Sequence, residues 1–232
     1  MLAIEPVTVM SLMVLAASPS SEFCQQPKPA QININPTSKA VKYDYSQSLA
    51  DLQLRKVDTI NPYGYDKKTH TNGYMDGVID MRTSVKLGHK FLPKYNAYCL
   101  WYESIDISIN LYPHIVIAKE VADDKCMHKA VKTHELKHVK VDKQIANKYA
   151  KSIGKTIYDG LKSRGFLVGP IRAEQAEEVA TRMKETAVQL TDLEYKKLEI
   201  ERAERQQAVD TLQEYEHVSA QCPDYRSPAL KE

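Results

Sequence analysis

The run Lys129-Ala130-Val131-Lys132-Thr133-His134-Glu135-Leu136-Lys137-His138-Val139-Lys140-Val141-Asp142-Lys143-Gln144-Ile145 is where the chain changes from strand to helical periodicity. With His134 at 0° and about 100° per residue, Val131, His138, Ile145, Ala146, Tyr149 and Ile153 fall between about 20° and 120°. Lys137, Lys140, Gln144 and Lys148 fall on the opposite side. The two histidines therefore sit on the edge of the stripe expected to be buried, and Asp142, at about 80°, lies inside it. Two histidines four apart are about 6 Å apart along a helix axis, so both rings can bind one Zn²⁺ ion. Glu135, about 100° round from His134, is placed to act as a general base on an activated water.

Upstream, Ile105, Ile107, Ile109 and Leu111 alternate with Asp106, Ser108 and Asn110, the pattern of a half-buried strand. Pro113 breaks it, and His114 to Ala118 restarts as a short strand that the proline assigns to an edge or a turn. Residues 39–45 and 78–88 suit further strands, and Ser46-Gln47-Ser48 offers an N-cap for a helix over 49–57. Downstream, the motif helix is expected to end near Gly165. A second helical segment runs over about 173–219 without Gly or Pro, dense in Glu, Lys, Arg and Gln. The expected fold is α+β: a small, mostly antiparallel sheet with an edge strand before the motif helix, followed by a long antiparallel helical hairpin.

The chain of 232 residues has 32 Lys and Arg against 30 Asp and Glu, with no basic block, which gives no case for nucleic acid as a partner. Residues 1–17 hold an apolar run followed by small residues, the pattern of a signal peptide cleaved near Ala16 or Ala17. That run is too short to span a bilayer, so no stable transmembrane segment is expected in the mature protein. Residues 18–38, rich in Pro, Ser, Gln and Asn, read as a flexible arm, and 39–222 as the folded domain. Four cysteines in an exported chain fit two disulfides, and of the three pairings Cys99–Cys126 with Cys24–Cys222 is the expectation.

A catalytic zinc takes three protein ligands and leaves one position for water, and the motif supplies only two. Counting back from a hairpin turn near residue 167 puts Glu199, Glu201 and Glu204 opposite the histidines, with Glu216 and His217 as candidates if the second helix bends. The short Asp142 side chain is expected to orient a histidine ring or to pair with a charge, rather than to ligate. Tyr149, Tyr215 and His217 are candidates to stabilise an oxyanion. His70, His89, His114 and His128 read as surface or loop residues.

The order of these features resembles the zincin metallopeptidases. More narrowly, the chain is similar to a bacterial family of secreted zinc-dependent proteases known from sequence. Tyr98-Cys99-Leu100-Trp101, Ile105-x-Ile107-x-Ile109, Pro113, the motif and Tyr215-Glu216 carry this resemblance, which covers roughly residues 40–220. It implies a peptide or protein substrate lying along the strand near His114 to Ala118, with Zn²⁺ on His134 and His138 and Glu135 as base. The chain departs from the family at Gln221-Cys222, where His-Gly is expected, which leaves the third ligand open. The alternative is a non-catalytic envelope protein with a structural or vestigial zinc site and a partner-binding long helix.

Overall fold

A computed structural model of the protein describes residues 12–13, 23–55 and 70–226. The elements are β1 (Leu12–Met13), β2 (Gln31–Ser38), β3 (Lys42–Asp44), α1 (Leu49–Leu54), β4 (Gly73–Met75), β5 (Val78–Leu92), β6 (Ala97–Tyr112), β7 (His114–Ile117), α2 (Lys119–Ala122), α3 (Lys125–Arg164), β8 (Leu167–Arg172), α4 (Ala176–Gln207) and α5 (Leu212–Ala220). The fold is α+β, with a mixed rather than antiparallel strand arrangement: β7 is parallel to β3 and antiparallel to β4. No described helix is long and apolar enough to cross a membrane. The expected signal segment lies outside the described residues, apart from Leu12–Met13, which pair with Ile32 and Gln31.

The described residues form two compact units. The first comprises those within Met1–Thr37, Asp80–Ile109 and Ala146–Leu198. Its sheet has the order β1-β2-β6-β5, with β8 also pairing antiparallel to β6. Ile105, Ile107 and Ile109 on β6 and Ile153, Ile157 and Leu161 on α3 are all fully buried, each stabilising by roughly 1.5–3 kcal/mol. Gln31–Ser38, expected in a flexible arm, is β2: Ala30, Ile32 and Ile34 alternate inward, and that burial offsets the cost of ordering the segment. β8 approaches β6 closely at Gly169, where φ is +140° and an added Cβ would lie 2.7 Å from the Tyr98 carbonyl oxygen. Only glycine suits both conditions.

The second unit comprises Ser38–Ile79, Asn110–Ile145 and Glu199–Glu232 as far as they are described. Its sheet has the order β3-β7-β4. β7 is therefore the central strand, not the expected edge. Pro113 does not prevent this, because it precedes the strand, where no ladder donor is needed, and its carbonyl accepts from the Lys42 N–H. Ile115, Val116 and Ile117 pack with Leu49, Leu52, Met127, Val131 and Val139 in one buried cluster. Ser48 caps α1 in a reciprocal capping box with Asp51. Asp124 accepts from the Met127 N–H in the first turn of α3.

The buried face of α3 is the one its periodicity predicts: Val131, His138, Ile145, Ala146, Tyr149 and Ile153 are all buried. The segment expected as one helix over 173–219 is instead α4 and α5, separated at 208–211. Thr211 starts the second helix, its hydroxyl accepting from the Glu214 N–H.

The disulfides are Cys24–Cys99 in the first unit and Cys126–Cys222 in the second, with Cα–Cα distances of 5.5 and 5.9 Å. Both expected pairings are thus replaced. The expectation placed the strand bearing Cys99 beside the motif helix, whereas Cys99 lies near the start of the 16-residue β6, with Cys24 beside it. Cys126, in the first turn of α3, meets the chain just after α5. Peptide mapping of the non-reduced protein is expected to recover fragments joined as 24–99 and 126–222; recovery of a 99–126 fragment contradicts this arrangement.

Candidate metal centre

His134, Glu135 and His138 project from α3 within the second unit, and all three are buried. Asp210, in the break between α4 and α5, completes a group of three potential metal ligands with the histidines. Its Oδ1 lies 3.2 Å from His134 Nε2 and 3.2 Å from His138 Nε2, and the two Nε2 atoms are 3.3 Å apart. A tetrahedral zinc with bonds of about 2.0–2.1 Å requires ligand atoms about 3.3 Å from one another. The donors are thus spaced for a zinc ion, and two imidazoles with a carboxylate match its ligand chemistry.

Each imidazole has its far nitrogen against an acceptor. His134 Nδ1 faces Glu214 Oε1 at 3.3 Å, and Lys137 Nζ holds both oxygens of that carboxylate at 2.6 Å. His138 Nδ1 faces Gln206 Oε1 at 2.6 Å. Hydrogen bonds at this position orient a ligand ring and raise its basicity.

The electrostatics follow from this crowding. Burial disfavours the charged form of both histidines, but hydrogen bonds to Asp210 and the charge of Glu135 outweigh it and raise both above the usual histidine range. Burial also acts to raise Asp210, yet hydrogen bonds from the two histidines hold it well below the usual carboxylate range. Glu135 is pushed up to about 7, chiefly by burial; the two histidines, and a hydrogen bond from the Met75 N–H, pull the other way.

Among the residues suggested by sequence, Asp142 is fully buried and pairs with Arg202, whose Nε is 2.7 Å from its Oδ1. Tyr215 lies beside His134, with ring centroids 5.8 Å apart. Tyr149 is buried in the first unit, and His217 is exposed. Glu199, Glu204 and Glu216 are exposed, and Glu201 pairs with Arg205; none joins the metal-binding group.

Asp210 was missed for a definable reason. Facing residues of the second unit, Asp142 with Arg202, His138 with Gln206 and His134 with Asp210, centre on Arg172 rather than on residue 167. The connection is strand β8, not a tight turn, so the register moves along by several residues. Thr211-Leu212-Gln213-Glu214, a helix-start signature, was the available signal for the break that carries Asp210.

Comparison with protein-family models, curated proteins and solved structures finds no match. Competition with a chromophoric chelator is expected to show Asp210→Ala weakening zinc binding at least tenfold, while Glu199→Ala and Glu216→Ala bind like the wild type. Unchanged affinity in Asp210→Ala removes that residue from the ligand set.

Proposed function

We propose that this protein is an exported zinc-dependent peptidase whose chemistry resembles that of the zincins, with His134, His138 and Asp210 holding the ion. The observation that carries this reading is the number of convergent donors, which is three among the described residues. Structural zinc sites close with four protein ligands, whereas catalytic sites use three and keep a position open. A zinc ion held there supplies Lewis-acid polarisation of a carbonyl and activation of water at neutral pH. Glu135 takes the proton of the attacking water and passes it to the leaving amine. Glu214 and Gln206 keep the two imidazoles turned toward the centre. The two disulfides favour an oxidising compartment and so support export.

β4, rather than β7, is suited to receive an extended peptide. It is an edge of the three-stranded sheet among the described residues. The Asp76 N–H donates to the His114 carbonyl and the Asn72 carbonyl accepts from Ala118, so by antiparallel alternation Gly73 and Met75 turn their polar groups outward. The outward Met75 N–H reaches the Glu135 carboxylate. A peptide added along β4 therefore passes the general base, with the main chain of Gly73 and the carbonyl of Met75 left to give affinity without a defined sequence.

The second reading is a structural zinc site, favoured by low exposure: 8% at His134, 7% at His138 and 6% at Asp210. Turnover separates the two. The wild type is expected to bind one zinc per chain and to cleave unstructured protein in a chelator-sensitive way. Glu135→Gln should keep the zinc and lose at least about 100-fold in rate. Full activity in Glu135→Gln defeats the peptidase reading; one bound zinc with no cleavage favours the structural one.

A further inference from the structure

We propose that Asp142, acting through the side-chain amide of Gln206, fixes His138 in the tautomer that presents Nε2 to a metal, making both residues positioning elements of the centre. The proposal rests on His138 being a ligand. Gln206 Nε2 lies 2.6 Å from Asp142 Oδ1 and 3.2 Å from the His138 carbonyl oxygen. A carboxylate oxygen paired with a guanidinium and a backbone carbonyl both accept hydrogen bonds, so only the nitrogen end of the amide suits that side. Arg202 holds the carboxylate in place, its Nε 2.7 Å from Oδ1 and its Nη2 3.0 Å from Oδ2.

With the amide so oriented, Gln206 Oε1 faces His138 Nδ1 at 2.6 Å. An amide oxygen only accepts, so Nδ1 carries the proton. The lone pair of the neutral ring is then on Nε2, the atom that converges with His134 Nε2 and Asp210. Without this amide, the neutral ring can place its proton on Nε2, where the Asp210 carboxylate would accept it, and that form cannot ligate through Nε2. His134 obtains the same orientation directly from a carboxylate, Glu214. His138 obtains it at one remove, because Asp142 lies one helical turn beyond it and bonds to the amide instead.

Two measurements on the full chain test this. Long-range ¹H–¹⁵N NMR of metal-free protein, at a pH where the rings are neutral, should show His138 protonated at Nδ1 in the wild type and not in Gln206→Met. Zinc affinity should fall about tenfold or more in Gln206→Met. Asp142→Asn should weaken it in the same direction, and a folded Asp142→Asn should likewise lose the fixed Nδ1 protonation of His138. Should Asp142→Asn fail to fold, the wild-type tautomer and Gln206→Met decide. An Nε2–H tautomer in the wild type, wild-type affinity in Gln206→Met, or a folded Asp142→Asn in which His138 stays fixed as the Nδ1–H tautomer overturns the proposal. A wild type that binds no zinc would defeat the metal centre itself, while the tautomer would still report whether the amide orients the ring.

Discussion

The ion pair between Asp142 and Arg202 sets the register on which the centre depends. Asp142 is fully buried, and leaving a buried carboxylate without its partner costs about 3–5 kcal/mol. Helix α3 and the end of α4 therefore meet in the alignment that joins these two residues. Stepping by four on both segments then places Gln206 at His138 and Asp210 at His134. Arg202 also donates to the Gly77 carbonyl at 2.7 Å, tying the chain after β4 to the same pair. Asp210, Gln206 and the strand whose N–H reaches Glu135 are thus anchored through one guanidinium.

A second constraint holds the far end. Asp210 and Glu214 come from a short break and a nine-residue helix, elements with little burial of their own, since no residue of α5 is buried. Cys126–Cys222 closes the chain after α5 onto the first turn of α3, and Lys137 pairs with Glu214. The resulting cluster gathers Glu135, Asp210 and Glu214 around His134, His138 and Lys137. Two imidazoles and one ammonium thus stand among three carboxylates, which accords with the upward direction of both histidines and the downward direction of Asp210.

Local pattern made much of this legible. The buried stripe of α3, the alternation of Ile105, Ile107, Ile109 and Leu111, and the cap at Ser48 all depend on residues within a few turns of one another. Long-range features were not legible in that way. Pro113 marks a boundary but carries nothing about β3 and β4 closing on both sides of β7. Cysteine spacing does not reveal that Cys24 lies beside β6. The third member of the candidate metal group depended on hairpin register, and β8 within the hairpin moves it from the glutamates of α4 to Asp210 in the break. Gln206 had no sequence signal, because a glutamine in a charged helix resembles its neighbours until its partners are in place.

Anomalous diffraction at the zinc edge, from crystals of the full chain grown with zinc, tests the centre most directly. A single peak coordinated by His134 Nε2, His138 Nε2 and a carboxylate oxygen of Asp210, with no fourth protein ligand, is the expected result. An ion held by other residues, a fourth protein ligand, or no peak between the two histidines contradicts it.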